Sequence, residues 1–211
     1  MKFKRARTNE QIEVRRKEIL NACAELFDNG DVDDVHFKAI GEKTSFARST
    51  IYKYYSTKEE ILLDLLSIDI MKWIDKINLF TDKYDKLTKE NFCYELTTIY
   101  LSCDRLLRLL SILYSVLEKN SSLEKLIEFK RSLIGYEIPV SNCVRKYFPD
   151  ATDDAIYTFI STTSSYILGV YPSTHISEKQ QQAIELSGYE FRKINFQETC
   201  YKGFLLIASV L

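Results

Sequence analysis

The chain has 211 residues, of which 45% are hydrophobic and 28% charged, so it can bury one large core or two modest ones. Its formal net charge is −1, which excludes a simple polycation and requires any basic surface to be local. Only six Gly and three Pro occur, a composition that favours long helices over many short strands.

The sequence predicts neither a membrane protein nor a metalloprotein. The charged first residues are not followed by an apolar run, and the most apolar stretch, Leu106 to Leu117, carries Arg108. Five scattered cysteines without a CxxC pair argue against a disulfide framework and against a zinc site. Two isolated histidines give no catalytic grouping. We expect a cytoplasmic protein that is not an enzyme and that uses no metal, cofactor or membrane.

The first part of the chain predicts three helices. Apolar residues follow a helical period over residues 12–27, and Gly30 is a typical residue just beyond a helix end. A short second helix is expected over 37–43, a turn at 44–47, and a third helix from Arg48 to about Tyr54. Two short helices joined by such a turn are typical of a helix-turn-helix.

The third helix has an inner and an outer face. Ile51 and Tyr55 lie four residues apart and are expected to point inward, against Phe37, Ile40 and Phe46. The remaining side chains point outward or sideways: Arg48, Ser49, Thr50, Tyr52, Lys53 and Tyr54. Core packing does not explain why so short a helix exposes two tyrosines and two cations.

A long fourth helix follows. Thr57 to Glu60 fits a capping box, and apolar periodicity then continues to about Phe80. Because this helix leaves the first apolar cluster and enters a second, we expect a small N-terminal domain of residues 1–62 and a larger one of residues 63–211.

The second domain predicts further helices and no strand, so the expected fold class is all-α. The segment 171–187 is polar, contains Pro172, and is expected to be a loop with at most a helical turn. Pro139 should bend or break one long helix. The helices are expected at about 89–103, 104–119, 122–147, 153–170 and 188–211.

Lys58 is at a position that the helix dipole disfavours for a cation. Helix N-termini bind phosphate, so a DNA phosphate at the start of the fourth helix would account for this lysine. In a helix-turn-helix the second helix lies in the major groove, and phosphate contacts fix its register. The alternative is a solvated lysine whose cost is offset by Glu59 and Glu60.

The motifs of this region have a specific order. The first helix ends in an aromatic residue and a glycine, and the third helix is followed by a K-E-E-[LI] pattern. The matching residues are Leu26-Phe27, Gly30, Ile40, Thr50-Ile51-Tyr52-Lys53-Tyr54-Tyr55 and Lys58-Glu59-Glu60-Ile61. From about Arg15 to Leu66, roughly a quarter of the chain, the sequence resembles the TetR/AcrR family of bacterial transcriptional regulators.

The resemblance implies roles for single residues. Arg48, Ser49 and Lys53 would face bases, and both cations can donate to guanine O6 and N7. The positions of Thr50, Tyr52, Tyr54 and Lys58 would contact DNA phosphates. Basic residues ahead of the first helix would form a minor-groove arm or a disordered tail: Lys2, Lys4, Arg5 and Arg7.

The turn departs from the family pattern A-G-V-S. Ser45 replaces a glycine of positive φ, which predicts some backbone strain. Ala47 replaces the usual N-cap, so the third helix should be less rigid until DNA orders it. The acidic loop 28–34 lacks calcium-loop spacing and is expected to be solvated or to repel DNA.

The resemblance also implies a homodimer. Helices 153–170 and 188–211 are the expected interface, since the first carries small residues at 161–165 and Gly169. The second carries an apolar face of Phe191, Ile194, Tyr201, Phe204, Leu205 and Ala208. Burial of these residues within one monomer is the alternative.

The middle helices are crowded with leucines and aromatic residues. Tyr100, Arg108 and Tyr114 are candidates for a small-ligand pocket, with plain core packing and an Arg108 ion pair as the alternative. The implied function is a dimeric repressor of operator DNA, released when a ligand favours the non-binding state through the fourth helix. Activation, control by a protein partner, control by thiol oxidation, and an all-α ligand-binding or enzymatic protein without DNA binding stay open.

Overall fold

A computed structural model describes residues 9–192 and 194–211, and every regular element in these ranges is helical. The expected all-α class is confirmed. None of the described helices is long and apolar enough to cross a membrane. The helices are α1 Asn9–Asn29, α2 Phe37–Glu42, α3 Arg48–Ile51, α4 Lys58–Lys83, α5 Lys89–Leu101, α6 Asp104–Ser111, α7 Leu123–Ser132, α8 Glu137–Tyr147, α9 Asp153–Thr174, α10 Glu178–Ser187 and α11 Phe196–Ile207.

The chain forms two compact units. The first contains the described residues up to Asp69 together with Ile112–Leu133, and the second contains Ile70–Ser111 and Ile134–Leu211. The first boundary falls inside α4, so this continuous helix belongs to both units. A π-helix at Leu113–Leu117 and helix α7 therefore belong to the same unit as α1, α2 and α3.

The first unit is built around the inner faces of its short helices. In it α1 packs on α2, and α2 packs on α3. The five residues predicted to point inward are all buried, which confirms that prediction: Phe37, Ile40, Phe46, Ile51 and Tyr55. The basic arm predicted at Lys2, Lys4, Arg5 and Arg7 lies outside the described residues.

The second unit has an aromatic core. Helix α11 packs on α5 and α9, and α9 packs on α6 and α8. The Phe80 and Tyr147 rings stack at 5.3 Å, and the Tyr147 hydroxyl donates to the Phe80 carbonyl at 2.9 Å. Gly203 lets α11 approach α9 closely, because a Cβ there would stand 2.2 Å from the ring of Tyr166. Side-chain size therefore sets the spacing of α9 and α11.

Two predicted helix boundaries are wrong. The region 122–147 breaks at Gly135, whose φ is +81°, and not at Pro139, which lies in the first turn of α8. A proline costs little in a first turn, because the N–H that it lacks has no intrahelical partner there. The region 104–119 is also divided, into α6 and the π-helix.

The segment predicted to be a loop is largely helical. Helix α9 continues through Pro172 to Thr174, and α10 follows after three residues. Ser177 and Gln180 form a capping box at its start, and Gly188 ends it at φ +68°. The last helix begins only at Phe196, with Asn195 as its N-cap, and not at residue 188.

Candidate nucleic-acid interface

The third helix is shorter than predicted. Regular α3 ends at Ile51, and turn hydrogen bonds continue the segment, including Tyr54 N–H to the Ile51 carbonyl at 2.9 Å. Four of the side chains predicted to contact DNA are exposed, Arg48, Ser49, Tyr52 and Lys53, and Thr50 and Tyr54 are half-buried. We name residues 48–54 the recognition segment. It presents most of its polar side chains to solvent, as a groove reader requires.

Arg48 and Tyr52 are bonded to each other. The Arg48 Nη2 donates to the Tyr52 hydroxyl at 2.7 Å, and the guanidinium carbon lies 5.4 Å from the ring centroid. The Tyr52 and Phe37 rings pack in a T-shaped arrangement with their centroids 4.6 Å apart, yet Tyr52 stays 51% exposed. Arg48, which is predicted to contact bases, is thus hydrogen-bonded to Tyr52, which is predicted to contact a phosphate.

The turn before the recognition segment is anchored rather than strained. No described residue other than glycine has a positive φ, so the strain expected at Ser45 is absent. Ser45 instead donates its backbone N–H to Glu18 Oε1 of α1, and its hydroxyl to Oε2 at 3.0 Å. The serine that replaces the family glycine therefore attaches the turn to the first helix.

The N-terminus of α3 lacks a side-chain cap, as predicted. Ala47 has the extended backbone of an N-cap residue, with φ −68° and ψ 149°, but it has no oxygen with which to accept a hydrogen bond. Its carbonyl still accepts from the Thr50 N–H at 2.8 Å. The conformation suits a cap and only the acceptor is missing.

Lys58 is held by the acidic loop. Its Nζ donates to the Val32 carbonyl at 2.7 Å and lies 3.9 Å from the Asp33 carboxylate. The loop is closed by the Asp31 N–H, which donates to Asp34 Oδ2 at 2.7 Å. The side chain of Lys58 is 24% exposed, so part of it still faces solvent at the start of α4.

A buried carboxylate stabilises the start of α4. The Thr57 hydroxyl accepts the Glu60 N–H at 3.3 Å, which confirms half of the predicted capping box. Glu60 Oε2 accepts the Ser56 N–H at 2.7 Å, and Oε1 accepts the Ser122 hydroxyl at 2.6 Å. Burial raises the pKa of Glu60, but the hydrogen bonds from Ser122 and Ser56 and the charge of Lys125 outweigh it and hold that pKa below its usual value.

A second polar group follows on the next turn of α4. Asp64 Oδ2 accepts the Tyr55 hydroxyl at 2.7 Å, and Asp64 Oδ1 lies 2.5 Å from the Lys125 ammonium. Lys125 is 8% exposed and also contacts Glu128 at 3.2 Å. Burial, and then the charge of Asp64, raise the pKa of the Tyr55 hydroxyl, so it remains a donor. Local sequence patterns predict neither group, because α7 is remote along the chain.

The predicted ligand residues lie in different units. Tyr100 and Arg108 belong to the second unit, whereas Tyr114 lies on the π-helix of the first and is 64% exposed. The Tyr100 ring is buried at 5.5 Å from Trp73 and 5.6 Å from Phe204. Among the described residues, two buried polar atoms of the second unit have no hydrogen-bond partner: Trp73 Nε1 and Thr163 Oγ1.

Most of the thiols are poorly placed for oxidation. Burial raises the pKa of Cys93 and Cys200 to about 12 and that of Cys143 to about 11, so these thiols stay protonated near neutral pH. Cys23 is also buried. Cys103 is half-buried, and its sulfur lies 3.5 Å from the Lys76 ammonium.

Comparisons with known proteins agree on one family. The model described as "Bacterial regulatory proteins, tetR family" matches residues 19–65, and "Tetracyclin repressor-like, C-terminal domain" matches residues 67–209. No curated protein matches the chain.

Three solved structures share the fold at low sequence identity. A TetR-family transcriptional regulator from Mesorhizobium loti has a TM-score of 0.54 and 13% identity over 94% of this chain and 96% of that one. The fatty acid degradation regulator FadR from Bacillus halodurans has a TM-score of 0.53 and 13% identity over 98% of this chain and 97% of that one. The transcriptional regulator FadR from Bacillus subtilis, in complex with stearoyl-CoA, has a TM-score of 0.52 and 16% identity over 92% of this chain and 98% of that one.

The missing cap gives a direct stability prediction. Ala47→Ser adds an acceptor where the backbone already has N-cap geometry, so it should raise the free energy of unfolding by about 1 kcal/mol. Chemical denaturation with Ala47→Val as the control tests this, since valine adds bulk without a hydroxyl. Equal stability of the serine and valine variants would contradict the assignment.

Proposed function

This chain belongs to the TetR family of bacterial regulatory proteins, and from that premise we propose that it is a cytoplasmic, homodimeric repressor that a small ligand releases from operator DNA. The observation that carries the proposal is the recognition segment. Its exposed side chains lie on a buried apolar base, and the chain leads from it directly into the N-terminus of α4. A groove reader followed by a phosphate-binding helix end is the arrangement that sequence-specific DNA binding needs.

Two sets of contacts divide the work of DNA recognition in this proposal. Arg48, Ser49 and Lys53 read bases, and the cations can donate to guanine O6 and N7. Thr50, Tyr52, Tyr54 and Lys58 bind phosphates and fix the register of the recognition segment. Support comes from the exposed side chains of this segment and from Lys58, which stands at the first residue of α4.

The two kinds of contact predict different mutant behaviour. Lys53→Ala should weaken the free energy of operator binding by about 1–3 kcal/mol and relax specificity at one base pair. Lys58→Ala should weaken binding to all sequences and lower the slope of log K against log salt by about 1. Genomic-fragment selection supplies the operator, and anisotropy titrations at two salt concentrations give the affinities.

The matched control is Lys179→Ala, because Lys179 is an exposed lysine on α10 of the second unit. Its operator affinity should equal that of the wild type. The DNA-binding proposal fails if the wild-type protein selects no fragment above random DNA, and the division of roles fails if both variants change specificity alike.

The proposed dimer interface uses the outer faces of α9 and α11. Tyr157 is 72% exposed on α9, and Ser164 and Ser165 lie on the same stripe of this helix. Leu206 is 76% exposed on α11, whereas Phe204 is fully buried within the second unit. The interface would therefore form from the exposed residues of both helices, in the ranges 153–170 and 188–211.

Charge on this face should separate the protomers. Leu206→Glu is expected to turn the dimer into a monomer, because a carboxylate would be desolvated at the centre of the interface. Leu123→Glu is the control, since Leu123 is 68% exposed on α7 of the first unit. Light scattering measures the mass of each variant. A dimeric Leu206→Glu protein would remove this face from the proposal.

The effector is proposed to bind in the second unit. The unpartnered Trp73 Nε1 belongs to a ring that packs beside Tyr100, and Thr163 Oγ1 is a second buried, unpartnered polar group of this unit. Buried polar atoms rarely stay unpaired, so a ligand acceptor is a suitable partner for them. Arg108 lies in the same unit and stays a candidate for a further contact, whereas Tyr114 belongs to the first unit and is not assigned to this site. A long apolar chain with a polar head fits this chemistry, and stearoyl-CoA, bound by the Bacillus subtilis FadR, is the probe of choice.

The only tryptophan of the chain makes this proposal measurable. Stearoyl-CoA should change the intrinsic fluorescence of Trp73 in a saturable way and lower operator affinity, while coenzyme A alone should do neither. Thr163→Val should weaken the fluorescence response about tenfold, because a hydrogen bond to a buried ligand is lost. If oxidant, and not ligand, abolishes DNA binding, the contact between Cys103 and Lys76 makes thiol control the better candidate.

A further inference from the structure

We propose that residues 120–125, at the N-terminal end of α7, position the recognition segment for DNA, and that Ser122 and Lys125 are positioning residues of DNA binding. The inference rests on the proposed DNA-binding function. Residues 120–125 belong to the same compact unit as the recognition segment, although Ser122 is 62 residues away from Glu60 along the chain. Two polar connections join them.

The first connection runs through Glu60. Its carboxylate accepts the Ser122 hydroxyl at 2.6 Å and the Ser122 N–H at 3.2 Å, and it also accepts the Ser56 N–H at 2.7 Å. Thr57 adds a bond from its hydroxyl to the Asn120 carbonyl at 3.1 Å. One 4% exposed carboxylate thereby joins the residues just after the recognition segment to the N-cap of α7.

The second connection runs through Asp64. This carboxylate binds the Tyr55 hydroxyl on one oxygen and the Lys125 ammonium on the other. The same ammonium lies 5.4 Å from the centroid of the Tyr55 ring. Tyr55 directly follows the recognition segment, so an ion pair between a buried ammonium and a half-buried carboxylate fixes the position where that segment ends.

These connections bear on DNA because of what they flank. Tyr55, Ser56 and Thr57 fill the interval between Tyr54 and Lys58, the two proposed phosphate contacts on either side of the turn. Buried polar groups are costly when unpaired, so α7 cannot move away from α4 without breaking several bonds together. The spacing of the base-reading and phosphate-binding groups therefore depends on the position of α7.

The path of the chain also connects α7 to the unit in which the effector is proposed to bind. The segment 112–133 leaves the second unit after Ser111 and returns to it at Ile134. A ligand that favours one arrangement of the second unit can therefore act on both ends of this segment. Such a ligand shifts the balance only as far as it binds one arrangement more tightly.

The test separates the connection from the helix cap. Ser122→Asp keeps an N-cap residue for α7 but places a second carboxylate against Glu60, and Ser122→Thr keeps the hydroxyl. Ser177→Asp makes the same change at the N-cap of α10 in the second unit. We expect operator affinity about tenfold weaker for Ser122→Asp and within about twofold of wild type for the other two.

Further readouts distinguish positioning from general stability. Lys125→Met breaks the second connection without adding charge, and it provides a second variant if Ser122→Asp does not fold. In the free protein, amide hydrogen exchange should rise across residues 48–58 for both disruptive variants and stay unchanged for Ser177→Asp. A role limited to stability would lower the unfolding temperature but leave the affinity of the folded fraction unchanged.

The outcomes are distinct. If wild-type protein binds its selected operator and both disruptive variants, folded, bind it equally well, the positioning role is overturned while the proposed function stands. If wild-type protein binds no DNA, the proposed function and this inference fall together. Weaker binding with faster exchange confined to the recognition segment and the start of α4, and recovered in Ser122→Thr, supports the inference.

Discussion

The first unit depends on the hydrogen bonds that the buried carboxylate of Glu60 accepts. Three donors from two distant parts of the chain satisfy it, the Ser56 N–H and both the N–H and the hydroxyl of Ser122. Removing a buried anion from its donors is expensive, because neither water nor apolar neighbours replace them. The start of α4 and the N-cap of α7 must therefore keep a fixed relation, which gives the recognition segment a rigid base despite its short helix.

Short-range patterns predicted part of this arrangement. The spacing of Ile51 and Tyr55 predicted the inner face, and the Thr57 hydroxyl caps the helix as expected. The bonds of Ser45 to Glu18 and of Glu60 to Ser122 were not predictable, since they join residues 27 and 62 positions apart. The capping box of Ser177 and Gln180 is a local signal for helix α10, but Pro172 and the polar composition of the segment favoured the prediction of a loop. Gly135 breaks its helix because it adopts a positive φ, a property that composition does not reveal.

Three of the side chains proposed to contact DNA, Arg48, Tyr52 and Lys58, are already hydrogen-bonded within the protein. Tyr52 accepts a hydrogen bond from Arg48, and Lys58 donates one to the Val32 carbonyl. Binding DNA would therefore exchange protein–protein hydrogen bonds for protein–DNA bonds instead of adding them to solvated groups. Such an exchange lowers the net gain of each contact, and it also reduces the side-chain entropy lost on binding.

The same reasoning ties the acidic loop to specificity. Asp33 lies 3.9 Å from the Lys58 ammonium, so a DNA phosphate at this helix end would approach a carboxylate as well as a cation. The nearby negative charge weakens attraction to any phosphate, and phosphate contacts supply most of non-specific affinity. The proposed base contacts of Arg48 and Lys53 would then decide a larger share of the total affinity. Under the proposed function, an acidic loop beside Lys58 would thus favour discrimination between sequences over general affinity for DNA.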